Sequence, residues 1–279
     1  MAISEQERKD RLLGIGGTDI GVILGLSPYK TPYQLFLEKT GIIEDTQEEN
    51  KFQYWGTKLE PLIRDEFALR NNVIIETPET TIHPFYDFMR ANVDGFIPSL
   101  NSVLEVKSSS GYSASQWGES GTDIIPIFYL TQVAHYVATL NADSAHIAVL
   151  IGGNDYREFK YTRDFELENK IIDAAKEFWA CVKENRAPSA INQADLKLMY
   201  PTSIAKSIPI NNDASLHLGK LNEIKRQIKD LNSKLESSKI EIMDYMKDND
   251  CLTNADGETL VSWKSNKRGS RVFLMKGDE

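Results

Sequence analysis

The sequence predicts an α/β (α+β) fold: a mixed central sheet flanked by helices, then a C-terminal extension of one long helix and a small hairpin. Strand-like segments fill residues 73–107, and helix-like segments lie on both sides of them. Further along, Gly152-Gly153-Asn154-Asp155 joins two strand-like segments and is typical of a β-hairpin. A seven-residue apolar repeat then predicts the long C-terminal helix.

A glycine-rich stretch separates the first two predicted helices. Gly14, Gly16 and Gly17 interrupt the first one, and Thr18 is placed to act as the N-cap of the second. Pro61 lies inside the long third helix and predicts a kink or a helix start near it. The helices predicted in this half of the chain cover residues 4–13, 19–24, 32–39, 53–70 and 126–140.

Proline and asparagine residues divide the predicted β region into short strands. We expect a mostly antiparallel sheet with residues 89–107 at its centre. The predicted strands cover residues 73–75, 80–83, 89–97 and 103–107, followed by the hairpin strands 145–151 and 157–162 and a helix over 165–185.

The last part of the chain is predicted to be a separate extension. Residues 187–213 are rich in Pro, Ser, Asn and Ala, which is typical of a linker or an edge segment, so we expect domains at 1–200 and 201–279. The long helix, from about 214 to 248, either packs on its own chain or its subunits or forms a coiled coil that recruits a partner. A hairpin of strands 259–263 and 271–275 follows. The apolar positions of the helix are Leu221, Ile224, Ile228, Leu231, Leu235, Ile242 and Tyr245.

Composition excludes several classes of protein. Apolar residues make up 41% and charged residues 26% of the 279, close to the globular average, which excludes whole-chain disorder. Cys181 and Cys251 are too few for a four-thiolate iron–sulphur or zinc site, and we expect both to be structural thiols of a reducing compartment. The polar N-terminus is not typical of a signal peptide, and no apolar run approaches the ~20 residues of a membrane helix. We therefore expect a cytoplasmic protein without membrane contact.

The charge of the chain is negative but uneven. A net charge of −9 argues against a broad basic footprint for nucleic acid. Residues 215–279 nevertheless hold 12 Lys and Arg against 11 Asp and Glu, and residues 264–276 carry five bases and no acid. Any contact with DNA must therefore be local.

The most informative segment combines Asp94-Gly95 with Glu105-Val106-Lys107. Because strand side chains alternate between faces, Glu105 and Lys107 share one face, and Asp94 on the preceding strand adds a second carboxylate. Two carboxylates and a backbone carbonyl suit Mg²⁺, and a lysine beside them could orient or deprotonate water. The alternative is an ordinary hairpin with a surface Glu–Lys pair.

Further polar residues could complete such a site. Glu60 could extend the carboxylate cluster, although it could equally be a solvated acid on a helix. Gln132 and Tyr136 are four residues apart and share a helix face, where they could also form a half-buried polar pair. Arg11 and Thr18 flank the glycine turn and resemble an anion-binding helix N-terminus. The alternatives are that Thr18 only caps its helix and that Arg11 pairs with a nearby acid.

In this order, the motifs resemble the YqaJ-like viral recombinase family, of the lambda-exonuclease branch of the PD-(D/E)xK nucleases. The similarity covers about residues 8–185, and the C-terminal helix and hairpin resemble the extension of phage-type members. The matching motifs are Arg11-x6-Thr18-Asp19, Leu24-Gly25-Leu26-Ser27-Pro28-Tyr29, Gly56-Thr57-x2-Glu60-Pro61, Asp94-Gly95, Glu105-Val106-Lys107 and Gln132-x3-Tyr136.

The resemblance implies a restriction-endonuclease-like core and a deoxyribonuclease that depends on Mg²⁺, for which Mn²⁺ could substitute. It implies that double-stranded DNA is degraded from its ends, 5′ to 3′, by a toroidal homotrimer that works with a single-strand annealing protein. In family terms, Asp94, Glu105, the Val106 carbonyl and Glu60 would bind the metal, and Lys107 would be the catalytic lysine. Gln132 would be the polar residue of the following helix. The 5′-phosphate end of the DNA would meet Arg11, Thr18 and Tyr136, with Thr18 replacing the family's serine.

Two other functions stay open at this point. One is an endonuclease that cuts structured or foreign DNA with the same core. The other is a catalytically silent scaffold that binds DNA ends and recruits partners through its long helix. The set of Asp94, Glu105 and Lys107 argues against the scaffold, because a protein that has lost catalysis need not keep all three together.

Overall fold

A computed structural model of the chain describes residues 10–43 and 50–277. The chain divides into two compact units, Met1–Thr202 and Ser203–Glu279. Among the described residues, none of the helices has both the length and the apolar character needed to cross a bilayer. Cys181 and Cys251 are both free thiols, as predicted.

A four-stranded mixed sheet forms the centre of the first unit, which confirms the predicted fold class. Its strands are β3 (Gly95–Ile97), β4 (Ser102–Ser109), β5 (Ser144–Ile151) and β6 (Asp155–Thr162), in the order β3-β4-β5-β6. The β4–β5 pair is parallel, and the two outer pairs are antiparallel. The predicted hairpin is therefore present as β5–β6. Strand β4 is central, whereas β3 lies at the edge.

Helices cover both faces of this sheet. On one face, Ile63 and Phe67 pack against Leu104 and Ala148. On the other face, a larger core joins residues of the remaining helices to Val103 and its neighbours on β5 and β6. The helices of this unit are α1 (Gly17–Ile23), α2 (Pro32–Lys39), α3 (Lys51–Asn71), α4 (Ile127–Leu140), α5 (Phe165–Lys183) and α6 (Gln193–Met199).

The predicted helix over 53–70 is longer than expected and is not ended by its proline. Helix α3 begins at Lys51 because the Asn50 side chain accepts hydrogen bonds from the backbone N–H groups of Phe52 and Gln53. Pro61 lies within the helix, so the predicted start near it is wrong. The short helix predicted over 4–13 lies mostly outside the described residues, and its described part, 10–12, is helical.

The β region before residue 100 is more broken than predicted. The expected strand 89–97 is divided into β2 (Arg90–Ala91), which pairs with β1 (Thr81–Ile82), and β3. The break lies at Asp94. Its carboxylate accepts a hydrogen bond from the Val106 N–H, which would donate to a backbone carbonyl if the strand continued. The strand predicted over 73–75 is absent. Val73 and Ile75 pack against the helix-α3 face of the core, and the backbone pairs only at the next residue, where Glu76 forms an isolated bridge with Phe96.

The predicted linker over 187–213 contains helix α6. The Asn192 side chain caps this helix by accepting from the Asp195 N–H at 2.9 Å. Asp195 is fully buried and accepts a 2.7 Å hydrogen bond from the Thr31 hydroxyl. The part of the segment before residue 200 is thus built into the first unit.

The second unit contains one long helix and a small sheet. Helix α7 (Asn212–Met246) has 35 residues. The sheet has three antiparallel strands, β7 (Cys251–Thr253), β8 (Thr259–Ser265) and β9 (Arg271–Met275), so the predicted hairpin is confirmed and one strand was missed. Strand β7 has only three residues, too few to show an alternating pattern.

Candidate active site

Asp94 and Glu105 are brought together by the pairing of β3 with β4. Gly95 pairs with Leu104 in this antiparallel ladder, so the next position along the same register sets Asp94 opposite Glu105. Residues directly opposite each other on neighbouring strands present their side chains to the same face. The Val106 N–H donates to Asp94 Oδ2 at 2.7 Å and fixes the aspartate against β4.

Glu105 is a buried carboxylate with one oxygen occupied and one free. It is only 1% exposed, and its Oε1 accepts from Gln132 Nε2 at 2.7 Å and from the Lys107 ammonium. No donor among the described residues reaches its buried Oε2. Burial, and then the nearby Asp94 carboxylate, raise the pKa of Glu105 to about 8. A buried acid with a bare oxygen beside a second acid is an arrangement that a cation would stabilise.

Lys107 lies on the same face as Glu105, as strand alternation predicts. Its Nζ pairs with Glu105 and lies 4.8 Å from the centre of the Tyr129 ring. Burial alone would lower the pKa of Lys107, but the carboxylates of Glu105 and Asp94 outweigh it and raise this pKa above its ordinary value. The lysine is therefore held as a cation.

Glu60 approaches the pair from helix α3. Burial raises the pKa of Glu60, and the charge of the nearby Asp94 carboxylate raises it further. Arg64, one turn along the helix, lies 3.4 Å from Glu60 Oε1 and donates to the Asp94 carbonyl at 3.0 Å. The arginine thus connects the helix to the turn that carries Asp94.

The donor set fits a hard divalent cation that keeps several of its waters. Asp94 and Glu105 supply carboxylate oxygens, of which Glu105 Oε2 has no hydrogen-bond partner in the described part of the chain. Within residues 10–43 and 50–277, no group of three or more His, Cys, Asp or Glu side chains is arranged to hold a metal ion. Two protein carboxylates, with Glu60 further out, are therefore the set that this geometry offers.

Helix α4 connects the acids to the glycine-rich turn. Gln132 Nε2 reaches both Glu105 and, at 3.1 Å, the hydroxyl of Tyr136. Gly17 lies against the other side of these residues: a Cβ at this position would come within 2.5 Å of the Tyr136 ring and 3.0 Å of Gln132 Cγ. The predicted one-face pairing of Gln132 and Tyr136 is present, and both are buried.

Thr18 is not the N-cap of its helix, which corrects the prediction. Helix α1 begins at Gly17 and its N-cap is Gly16, whose N–H donates to the carboxylate of Asp19 at 2.9 Å. Asp19 therefore caps the helix, and Gly17, which lies close to α4, is its first residue. Thr18 is an exposed residue of the first turn.

Lys39 organises the turn between Arg11 and Thr18. Its Nζ, almost fully buried, pairs with Asp19 at 2.7 Å and donates to the carbonyls of Gly14 and Arg11, each at 2.7 Å. Asp19 thus pairs with this lysine and not with Arg11. The residues Arg11 and Thr18 are both exposed.

Three of the residues around the site were missed by sequence reasoning. Arg64 could have been found, because it is one helical turn from Glu60. Tyr129 could have been found as well, because it is three residues before Gln132 on the same helix. Lys39 had no such signal, since it reaches the glycine turn from a different helix.

Comparison with known proteins places the chain in a family. It is 34% identical over 258 residues to the uncharacterized protein YqaJ of Bacillus subtilis (strain 168), covering 88% of this chain and 80% of that protein. This chain belongs to the YqaJ-like viral recombinase family. The family's model, described as the YqaJ-like viral recombinase domain, matches residues 8–143, which include Glu60, Asp94, Glu105, Lys107 and Gln132.

Solved structures similar to this YqaJ-like chain show the fold. An alkaline exonuclease (LHK-Exo) from Laribacter hongkongensis superposes with a TM-score of 0.55 at 16% identity, covering 66% of this chain and 94% of that chain. A structure of LHK-Exo in complex with dAMP gives a TM-score of 0.54 at 16% identity, over 70% of this chain and 97% of that one. Over these parts of its length, the YqaJ-like chain therefore shares the fold of this exonuclease.

Proposed function

We propose that the chain is a metal-dependent deoxyribonuclease that degrades double-stranded DNA from its ends, 5′ to 3′, in phage-type recombination. The observation that carries the proposal is the Asp94–Glu105 pair, with the bare Glu105 Oε2 next to the Lys107 cation. The family and the exonuclease fold support the choice of DNA as substrate. The cytoplasm is the proposed location.

Mg²⁺ is the proposed metal, with Mn²⁺ as a substitute. Asp94, Glu105 and the Val106 carbonyl would bind it directly, and Glu60 would contact it through water. A bound metal supplies Lewis-acid stabilisation of the charge that develops on a phosphodiester during in-line displacement. Burial raises the pKa of both Asp94 and Glu105 in spite of the nearby Lys107 charge, so the pair favours a further cation.

The chain's own residues position the reactants. Lys107, held as a cation, orients the attacking water and neutralises negative charge on the phosphate. Gln132 holds Glu105 Oε1, and the Val106 N–H holds Asp94, so neither acid needs to reorganise when substrate arrives. Arg64 supports Glu60 and the Asp94 turn from helix α3.

The 5′-phosphate of a DNA end is proposed to bind at the glycine turn. Arg11 and Thr18 would supply a guanidinium and a hydroxyl at the start of α1, and Tyr136 would contact the DNA from α4. The contact of Gly17 with Gln132 and Tyr136 supports this placement, because it brings the turn next to the residue that holds Glu105. The family resemblance extends the proposal to a homotrimer and to an annealing protein as a partner.

Digestion of matched DNA substrates tests the proposed function. Linear duplexes with a 5′-phosphate or a 5′-hydroxyl and a closed circular duplex of the same sequence are incubated with Mg²⁺, with Mn²⁺ or with EDTA. We expect nucleotide release from linear DNA, fastest from the phosphorylated end, and none with EDTA. Cutting of the circle at a similar rate would favour an endonuclease. Binding of ends without any cleavage would favour the scaffold.

A further inference from the structure

The long helix α7 carries an apolar seam that its own unit leaves open. The five Leu and Ile residues between 221 and 235 are each 48–62% exposed. At the C-terminal end of the same helix, by contrast, Met246 is only 2% exposed. Contiguous exposed apolar surface of this kind marks an interaction site. The seam consists of Leu221, Ile224, Ile228, Leu231 and Leu235.

The spacing of the seam is that of a helix that packs against another helix. Its residues follow one another by three and four positions, so Leu221, Ile228 and Leu235 occupy the a positions of a heptad. Ile224 and Leu231 occupy the d positions. Aliphatic residues at a and d form the knobs that insert between side chains of a facing helix. The seam is therefore shaped for a second amphipathic helix.

The residues beside the seam are basic. In the heptad frame, Lys220 and Lys234 take g positions, and Lys225 and Lys239 take e positions. Lys234 pairs with Asp230 at 2.7 Å and Lys239 with Glu236 at 3.0 Å, on the side away from the seam. Such surface pairs contribute little to stability and exchange readily for other partners. The remaining e and g positions between residues 220 and 239 are neutral, Gln227 and Asn232.

These charges argue against a second copy of the chain as the occupant. In a parallel pair, a g residue faces the e residue of the next heptad on the other helix, which sets Lys220 against Lys225 and Lys234 against Lys239. In an antiparallel pair, an e residue of one helix faces an e residue of the other. Lys225 of one copy would then lie against Lys239 of the second copy where their heptads overlap. DNA would attract the lysines but would leave the aliphatic seam in water.

We propose that this seam, on residues 221–235 of α7, docks an amphipathic helix of a different protein whose e and g positions carry Asp and Glu. Heterotypic pairing would bury the Leu and Ile side chains and place acids against Lys220, Lys225, Lys234 and Lys239. Opposite charges at e and g select both the partner and its orientation. This proposal does not depend on the nuclease activity of the first unit.

Binding of two designed peptides to the full chain tests the proposal. Both peptides have about four heptads with Ile at a and Leu at d, and they differ only in carrying Glu or Lys at every e and g position. Fluorescence anisotropy at about 0.1 M salt should show the Glu peptide binding at least about tenfold more tightly than the Lys peptide. Ile228→Asp should weaken binding of the Glu peptide by a similar factor. The double variant Lys225→Glu, Lys234→Glu leaves two Lys and two Glu beside the seam and should abolish the preference between the peptides.

A matched control and the solution mass of the chain make the test decisive. Arg226→Glu changes charge at an f position, on the side of the helix opposite the seam, and should leave peptide binding unchanged. Failure of both peptides to bind, or equal binding of the two by the wild-type chain, would overturn the proposed docking of an acidic helix. The proposal is also overturned if light scattering shows an oligomer that Ile228→Asp dissociates, or if that substitution weakens duplex DNA binding and spares the peptide.

Discussion

The side-chain amide of Gln132, on helix α4, donates to Glu105 Oε1 on strand β4 at 2.7 Å, and both residues are buried. This hydrogen bond leaves Glu105 Oε2 as the oxygen without a donor among the described residues. The glutamine therefore sets which oxygen of the acid is available to a cation. In the proposed nuclease it is a positioning residue.

Gln132→Ala should lower the rate of DNA digestion by about 10–100-fold, because removing a partner of a metal-binding group costs about this much. The Mg²⁺ concentration that gives half the maximal rate should rise as well, which a purely structural role would not require. Gln116→Ala, at an exposed glutamine in the turn after β4, is the matched control and should digest normally. A normal rate and normal Mg²⁺ dependence in Gln132→Ala would contradict the positioning role.

Lys107→Met should lower the rate by about 10²–10³-fold, because it removes a charge arranged for the transition state. The reaction should depend on Mg²⁺ as before, since Asp94 and Glu105 remain. Lys160→Met, at an exposed lysine on β6, is the control. Steady-state digestion of a linear duplex at neutral pH measures both variants, and an undiminished rate for Lys107→Met would move the role to another residue.

His135 should make the stability of the first unit depend on pH. Its ring is fully buried and bonds through Nε2 to the Arg90 carbonyl at 2.9 Å. Burial, together with the charge of His83, lowers the pKa of His135 to about 4, although the hydrogen bond to the Arg90 carbonyl and the charge of Asp19 oppose the shift. The folded state keeps the ring neutral while the unfolded chain takes up a proton near the ordinary pKa of 6.5. Stability is therefore complete above about pH 6.5 and is lost as the pH falls toward 4.

Urea unfolding at pH 8 and pH 5 measures this effect. His135 should account for about 2 kcal/mol of the loss in unfolding free energy between these two pH values. His135→Gln should lose correspondingly less stability over this interval, whereas His217→Gln, at an exposed histidine of α7, should match the wild type. An equal loss in His135→Gln and wild type would show that the buried ring does not carry this dependence.

Arg11→Ala should slow digestion of 5′-phosphorylated ends much more than digestion of 5′-hydroxyl ends. Only the phosphorylated end loses a charge-assisted contact, which is worth roughly 1.5–3 kcal/mol, or about 10–100-fold. Arg186→Ala removes an exposed arginine elsewhere and is the control. Equal slowing of both ends would reject the phosphate contact and leave the metal site unaffected.

The strand that carries Glu105 and Lys107 could be predicted because its sequence pattern is local. The alternation of Glu105, Val106 and Lys107 follows from strand geometry alone, and the spacing back to Asp94 fits one short turn. The contribution of Arg64 and Tyr129 depends on how α3 and α4 pack on the sheet. Such contacts join residues far apart in sequence, which no local pattern specifies.

The errors in the predicted elements have a related origin. Asp94 interrupts the strand predicted over 89–97 because its side chain, and not its backbone, bonds to β4. Thr18 has the residue type of an N-cap, but Asp19 caps the helix and Gly17 fits where a side chain would collide with Tyr136. In both cases a specific tertiary contact overrides a local preference.

The most direct test of the account is the rate of nucleotide release from a linear 5′-phosphorylated duplex by the wild type and by Glu105→Gln across a Mg²⁺ titration. The substitution keeps the shape of the side chain and an oxygen that can accept from Gln132, but it removes the charge that would bind the metal. We predict Mg²⁺-dependent release by the wild type and a loss of at least about 10³-fold in the variant, with an unchanged far-ultraviolet circular dichroism spectrum. Release at the wild-type rate by Glu105→Gln, or by the wild type in EDTA, would contradict the proposed metal-dependent nuclease.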